Sequence, residues 1–276
     1  MAKGSAYGSL NRPSGKNHLE MFTSSESALA KFLYPITWRD TVFVFDDFAG
    51  PALSTHLWTA AKIASNGTDF DPPATQLVNG VCQGVTGAFA QDHANLRSDA
   101  VWYGDGNCGM EVRWKVDNIT SLAVEVGFVD PLTSYTQSDA GAISGIDTPG
   151  VTNGATDAAL VTMYTTETAN KLNLVTDGST SNMNATATSF AVSPVNATYG
   201  VARVQLAQTA SAVAAAKAYV LDENDAIRAT AQHGSALASQ IKGNVLQHFW
   251  FYVEALTTSA RTIDIDYIAV WQDRVR

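Results

Sequence analysis

The sequence predicts an all-β sandwich preceded by an extended arm that carries one short helix. Three observations predict it. Several segments alternate apolar and polar residues with a period of two, the pattern of a strand with one face in a core. Clusters of Gly, Asn and Asp separate these segments. No helical segments alternate with the strands, so a parallel doubly wound sheet is disfavoured and a sandwich or jelly roll remains. The chain has 276 residues, a length that one β-sandwich plus an arm can fill.

Residues 1–22 have little periodicity and many Gly, Ser, Asn and Lys, which reads as an extended arm. Thr23-Ser24-Ser25-Glu26 has the spacing of a capping box. Leu29 and Leu33 follow four apart with Phe32 beside them, so a short helix is expected over 24–33, stopped by Pro35. A helix of about ten residues is marginal alone and must dock on its own body or on a partner.

From residue 41 the pattern is β. Over Cys108–Asp117, Met110, Val112, Trp114 and Val116 point one way, and Glu111, Arg113, Lys115 and Asp117 the other. This predicts a half-buried strand with a wet outer face. Ser121–Val129 alternates similarly, and Asp117-Asn118 suggests a turn between the two runs. Residues 131–157, rich in Gly, Ser, Thr and Asp, read as a long loop, a kind of segment that often carries contacts or function. Strands are expected at 158–164, 170–176 and Tyr199–Gln208. Val213–Leu221 has high helix propensity, but its place between strands and before Asp222-Glu223-Asn224-Asp225 favours a strand. Val245–Leu256, apolar with aromatics at 249–252, reads as a central strand buried on both faces. A last strand follows, containing Ile263-Asp264-Ile265-Asp266-Tyr267.

Apolar residues make up 46% of the chain and charged residues only 16%. The core can be large, and the surface is rich in small neutral residues. The net charge of −9 is uneven: residues 1–40 carry +2, so the remainder carries −11. An acidic body disfavours nucleic acid as a partner. The basic arm either meets an acidic surface or is a solvated tail. No charged segment followed by an apolar one opens the chain, so no signal peptide is expected. No apolar run approaches the roughly 18 residues that span a membrane. Cys82 and Cys108 are expected as two buried thiols rather than a bridge.

Gly104-Asp105-Gly106-Asn107-Cys108-Gly109 has three spaced glycines but opens a strand, where a dinucleotide site needs a helix N-terminus. Asp105 and Asn107 supply two oxygens, where Ca²⁺ takes six or more. His18, His56, His93, His233 and His248 lack metal-ligand spacing. Asp264 and Asp266, two apart on a strand, share a face and are the sharpest candidates for a glycosidase carboxylate pair. Ordinary alternation against an apolar face of Ile263, Ile265 and Tyr267 is the favoured reading, because the pair lacks the rest of a catalytic context. The adjacent Asp46 and Asp47 point to opposite faces and fit a turn-anchoring role. Trp58, Trp102, Tyr103 and Trp271 could stack on sugars or fill the core.

Phe45-Asp46-Asp47-Phe48 with Leu57-Trp58 downstream resembles the first strand of concanavalin-like, or laminin-G-like, jelly rolls. Ile265-Asp266-Tyr267-Ile268-Ala269-Val270-Trp271-Gln272 resembles their last strand. Family-16 glycoside hydrolases end similarly but carry a Glu-x-Asp-x-x-Glu strand. Here Glu125-Val126-Gly127-Phe128-Val129-Asp130 has the wrong order and spacing, so the resemblance implies the fold and not the activity. Structural proteins of tailed bacteriophages built on this jelly roll are similar in three stretches: Val124–Asp130, Asn153–Ala159 and Arg261–Tyr267. That resemblance implies a non-enzymatic virion protein without cofactors, of the capsid decoration (cement) type. The expectation is thus a concanavalin-like jelly-roll sandwich over 41–276 and an arm over 1–40. It is assembled in the host cytoplasm and located on the capsid surface. The major capsid protein is the expected partner, with self-association as a homotrimer, and with no nucleic acid or membrane partner. Arg12, Lys16, Phe22, Leu29, Phe32, Leu33, Tyr34 and Arg39 are the expected partner-binding residues of the arm. A carbohydrate-binding tail or receptor-recognition module is the alternative, and a divergent glycoside hydrolase the third reading.

Overall fold

The computed structural model describes residues 41–63, 67–73, 80–136, 141–143, 155–166, 170–178, 186–210, 213–233 and 241–274. The helix expected at 24–33 and every expected arm residue, from Arg12 to Arg39, lie outside them.

The described strands are β1 (Thr41–Asp46), β2 (Thr59–Ile63), β3 (Thr68–Asp71), β4 (Cys82–Val85), β5 (His93–Arg97), β6 (Gly109–Val116), β7 (Leu122–Val129), β8 (Ala158–Tyr164), β9 (Asn173–Asp177), β10 (Thr186–Ser189), β11 (Gly200–Ala210), β12 (Val213–Leu221), β13 (Ile227–His233), β14 (Ile241–Lys242), β15 (His248–Ala255) and β16 (Thr262–Asp273). They form two antiparallel sheets. Sheet A runs β13-β12-β11-β6-β16-β4-β3, with β1 also on β16 and β14 on β12. Sheet B runs β10-β9-β8-β7-β15-β5-β2. The strand expected at Val213–Leu221 is β12: its alternate residues Ala214, Ala216 and Ala218 are buried in the core, and tertiary burial overrides helix propensity.

The alternating runs on either side of Asp117-Asn118 do not pair with each other. β6 lies in sheet A and β7 in sheet B, so Asp117–Ser121 carries the chain across the sandwich. Arg261 fastens this crossing, donating to the Thr120 carbonyl from Nε at 2.9 Å and Nη2 at 2.7 Å.

The main core lies between the sheets. Met110, Val112, Trp114 and Val116 of β6 face Leu122, Val124, Val126 and Phe128 of β7, with Phe249, Phe251 and Val253 of β15. Phe251 receives Phe70 and Trp114 edge-on at 5.6 and 5.8 Å. Full burial of such a side chain contributes about 1.5–3 kcal/mol. β15 sits between β7 and β5 and is buried along its whole length, as its continuous apolar run predicts.

A second apolar layer covers the other face of sheet B. Ala123, Val129, Leu160, Val175, Trp250 and Tyr252 meet Leu132, Ala142, Ile143 and Ala155, with Tyr135 packed beside them. The covering residues come from the described parts of the connection between β7 and β8, residues 130–136, 141–143 and 155–157, hereafter the strap. The molecule is therefore three layers: sheet A, sheet B and strap. The strand beneath the strap admits no side chain at Gly127, where an ideal Cβ would lie 2.1 Å from the Ala159 carbonyl oxygen.

One irregularity corrects the reading of the last strand. Ile265 pairs with Trp114 and Tyr267 with Arg113, leaving Asp266 as the extra residue of a β-bulge. The bulge switches the phase of β16. Ile263, Ile265, Ile268 and Val270 all face the main core. Tyr267, expected on the apolar face, instead turns outward to Glu111.

Candidate functional site

The densest polar arrangement lies beneath the strap. Alternation on β7 turns Glu125 away from the main core, and the strap then seals it. Its carboxylate accepts from four donors: the amides of Ala142 (2.8 Å) and Ile143 (3.1 Å), Tyr164 Oη (2.8 Å) and Trp250 Nε1 (2.8 Å). Glu125 is completely buried. Burial pushes its pKa up, against the four hydrogen bonds, which favour the anion. Tyr164 is held well above the usual phenol range by burial and by Glu125 beside it. Tyr164 Oη also lies 3.0 Å from the Ile143 carbonyl, so a protonated Glu125 has an outlet, donating to Tyr164 while Tyr164 donates to Ile143. On the neighbouring strand the Tyr252 hydroxyl donates to Glu254 at 2.8 Å.

The strap is clasped at its base. Asp130 Oδ1 accepts from the amides of Thr156 (2.9 Å) and Asp157 (3.1 Å). The Thr156 hydroxyl bridges Asp130 (2.8 Å) and Asp157 (3.1 Å). Asp157 also accepts from the Lys242 amide at 2.8 Å, with Lys242 Nζ at 3.4 Å. Burial pushes the Asp157 carboxyl up to about 6, the Lys242 contacts opposing and Asp130 adding to the rise. A carboxyl raised above its unfolded value of about 3.9 stabilises the fold below that pH and loses the contribution as pH rises through 6. Asp157→Asn is therefore expected to remove this slope. Urea midpoints of wild type and variant, taken between pH 4 and 7.5, should diverge as pH rises, with the variant ahead at neutral pH. Parallel profiles would contradict the assignment.

The carboxylates picked out in the last strand are placed on the outer face of sheet A and neutralised there. Asp264 accepts from Gln83 at 2.8 Å and pairs with Lys115 at 3.2 Å. Asp266, on the bulge, pairs with Arg113. Arg113 and Lys115 both lie over the Tyr199 ring, at 4.5 and 4.6 Å. The outer face of β6 is drier than its alternation predicts, because Glu111 is fully buried with Arg203 of β11. Arg203 reaches it through Nε at 2.7 Å, and Tyr267 donates to its other oxygen at 2.8 Å.

The aromatics considered as sugar platforms are structural. Trp58 and Trp102 are buried and donate to Asp46 and Ser98 at 2.8 and 3.0 Å. Trp271 is buried on the outer side of sheet A with Ala269, Phe43 and Phe45. Tyr103 is half-buried at the start of a 3-10 turn over Gly104–Gly106. That turn ends at Asn107 in the left-handed region, with φ 48°, and no α-helix follows to hold a pyrophosphate. Asn107 donates to Asp273 and accepts from the Gln208 amide. Asp46 anchors its turn through the Phe48 amide at 2.8 Å. Cys82 and Cys108 are free, buried thiols, each raised far above its ordinary value by burial. Among the described residues no cluster of three or more His, Cys, Asp or Glu could hold a metal, and no helix is long and apolar enough to cross a membrane.

Sequence reasoning missed Glu125, Tyr135, His248 and the carboxylate clasp. One signal was present: Glu125 interrupts a strand that is otherwise apolar on both faces. His93 and His248, scattered in sequence, converge on Tyr135. A separate open cavity of about 320 Å³ lies at one end of sheet A. Trp114, Val192 and Val220 contribute its apolar lining, and Lys115, Tyr199, Asp222, Asn224 and Arg228 its polar lining.

No family profile matches the chain, and no curated protein matches it in sequence. Solved structures do match in shape. A protein of unknown function from Shewanella oneidensis MR-1 superposes with a TM-score of 0.54 at 11% identity, over 96% of this chain and 99% of that one. Lectin II from Ulex europaeus gives 0.54 at 12%, over 86% and 100%. An endo-β-1,4-glucuronan lyase from Trichoderma reesei gives 0.50 at 7%, over 84% and 94%. At such identities the likeness speaks for architecture, and it agrees with the two stacked antiparallel sheets: the chain has the concanavalin-type, lectin-like jelly-roll β-sandwich fold.

Proposed function

We propose that this protein is a non-catalytic structural component of a virion. It decorates a capsid through its N-terminal arm and self-associates, as a homotrimer, through its body. One observation carries the non-catalytic reading. The described polar residues of the three phage-like stretches are spent on internal fastening. Glu125 holds the strap, Asp130, Thr156 and Asp157 clasp its base, Arg261 secures the crossing between sheets, and Asp264 and Asp266 are paired with Lys115 and Arg113. Acid–base work on a substrate needs carboxylates that face a reacting group, and these face their own chain. The resemblance of those stretches to phage structural proteins supplies the virion assignment.

The arm is the capsid anchor in this reading. Ordering it costs roughly 1–2 kcal/mol per residue, so it needs a broad apolar contact through Phe22, Leu29, Phe32, Leu33 and Tyr34, with Arg12, Lys16 and Arg39 meeting acidic groups. A full-length variant with Phe22, Leu29 and Phe32 changed to Ser should lose co-sedimentation with capsids while keeping the wild-type urea midpoint. Undiminished capsid binding would sink the anchoring role.

The end cavity favours a second reading, carbohydrate binding. Its volume falls within the size range of small-ligand sites, and its lining combines aromatic residues with groups able to bond hydroxyls. Lectin II from Ulex europaeus shares the fold. A glycan array probed with the full chain, and with Tyr199→Ala and Arg228→Ala, tests it: specific binding lost in both variants supports the reading, and no binding by the wild type removes it.

A further inference from the structure

Tyr135 is the point at which the strap is held to sheet B between its base and the Glu125 contacts. The Arg97 guanidinium lies 3.7 Å above its ring. Its carbonyl accepts from Asn95 Nδ2 at 2.9 Å and lies 3.3 Å from His93 Nε2. Its hydroxyl accepts from the Leu132 amide at 3.1 Å and lies 2.8 Å from His248 Nε2.

The chemistry assigns the proton positions in this last contact. His248 Nδ1 is 2.8 Å from the carbonyl oxygen of Ser98, which can only accept, so Nδ1 carries a hydrogen. In the neutral imidazole Nε2 is then the acceptor, and the Tyr135 hydroxyl donates to it. Protonating Nε2 turns that acceptor into a donor. The Tyr135 hydroxyl oxygen must then accept from both Nε2 and the Leu132 amide, and its own hydrogen loses the acceptor it had in Nε2. A second cation also appears beside Arg97.

We propose that the Tyr135–His248 contact is an acid-sensitive latch, whose protonation releases the strap around Tyr135 and uncovers the aromatic layer of Trp250 and Tyr252 on sheet B. The surrounding charges are mixed. From β5 the site is faced by Arg97 and His93, with Asp99 just beyond. From the strap it is faced by Asp130 and Tyr135, and on the same layer Glu125 and Glu254 bond Trp250 and Tyr252. Burial holds the His248 imidazole below its ordinary value; the Ser98 carbonyl opposes this, Arg97 adds to it, and Asp99 and Asp130 oppose it. The sign follows. An open strap lets His248 take its proton at the ordinary value of about 6.5, so the closed form is favoured above that pH and loses ground as pH falls below it.

Hydrogen exchange of the full chain tests this, with rates corrected for the intrinsic effect of pH. Between pH 7.5 and 5, protection of the Leu132 amide, which donates to the Tyr135 hydroxyl, should fall tenfold or more, while that of Val124 and Val126 in β7 holds. His248→Gln should abolish the acid-dependent fall. Tyr135→Phe keeps the ring and loses the hydroxyl; it should lower strap protection at both pH values and remove the pH dependence, and it decides the matter if the Gln variant does not fold. Constant strap protection in the wild type, or an acid-dependent fall that survives in either variant, would overturn the latch.

Discussion

Replacing Glu125 by alanine is expected to destabilise the protein by about 3–5 kcal/mol, among the largest effects of any single substitution here. The side chain is the common acceptor for two strap amides, a tyrosine and a tryptophan. Removing it leaves the Ala142, Ile143 and Trp250 N–H groups without an acceptor in a layer that excludes water, where each unsatisfied group costs about 1–3 kcal/mol, while Tyr164 can still donate to the Ile143 carbonyl. Glu125→Gln should cost less, about 1–3 kcal/mol. Its amide oxygen can still accept from Ala142 and Trp250, and its NH₂ can donate to Tyr164, which passes its own hydrogen to the Ile143 carbonyl; the Ile143 amide alone loses its acceptor. Because the Glu125 carboxyl is raised by burial, its contribution is largest at low pH and is lost as pH rises through the raised value. The Gln variant should lack that slope. Urea denaturation at several pH values measures all three proteins, and an alanine variant as stable as wild type would remove Glu125 as the holder of the strap.

Arg203→Met is expected to cost about 3–5 kcal/mol, because it strands the Glu111 carboxylate in a site with no exposure for either partner. The double variant Arg203→Met with Glu111→Gln should be more stable than Arg203→Met alone. It removes the stranded charge and keeps an acceptor for the Tyr267 hydroxyl, which lies 2.8 Å from Glu111. A double-mutant cycle reads this coupling directly. Additive losses would mean that the two residues stabilise the sheet separately. Tyr267 takes part because the bulge at Asp266 turns it outward, so Tyr267→Phe should weaken the same network by a smaller amount.

The alternation of single strands was legible in the sequence, and what depends on distant partners was not. Met110 to Val116 and Leu122 to Phe128 declared their core faces because side-chain direction in a strand is a local property. The sheet to which each strand belongs is set by register with partners far along the chain, so nothing in Asp117–Ser121 announced a crossing instead of a hairpin. The bulge was hidden for a related reason: one added residue at Asp266 restores the inward phase for Ile268 and Val270, which alternation alone assigned to the side of the carboxylates. Glu111 looked like a solvated residue because its neutralising partner, Arg203, lies 92 positions away. The candidate site was the least legible. Tyr135, His93 and His248 meet through three segments, and the long loop that supplies Tyr135 was recognised only as a loop, by composition. The Trp residues were visible as candidates for either stacking or core. Burial and internal hydrogen bonds assign Trp58 and Trp102 to the core.

The order of strands has a kinetic meaning. β15 joins β7 to β5 in the middle of sheet B, and β16 joins β6, β4 and β1 in the middle of sheet A. These are the last two strands of the sandwich to leave the ribosome. Until they arrive, β6 and β7 each lack a neighbour along one edge, and neither sheet can close. Such a topology pays its loop-closure entropy late and folds slowly, and the nascent chain displays open, apolar strand edges that are prone to pair with copies of themselves. Loss of residues 248–276 would therefore remove the centre of both sheets at once, where loss of an equal stretch from an outer hairpin would trim only a margin.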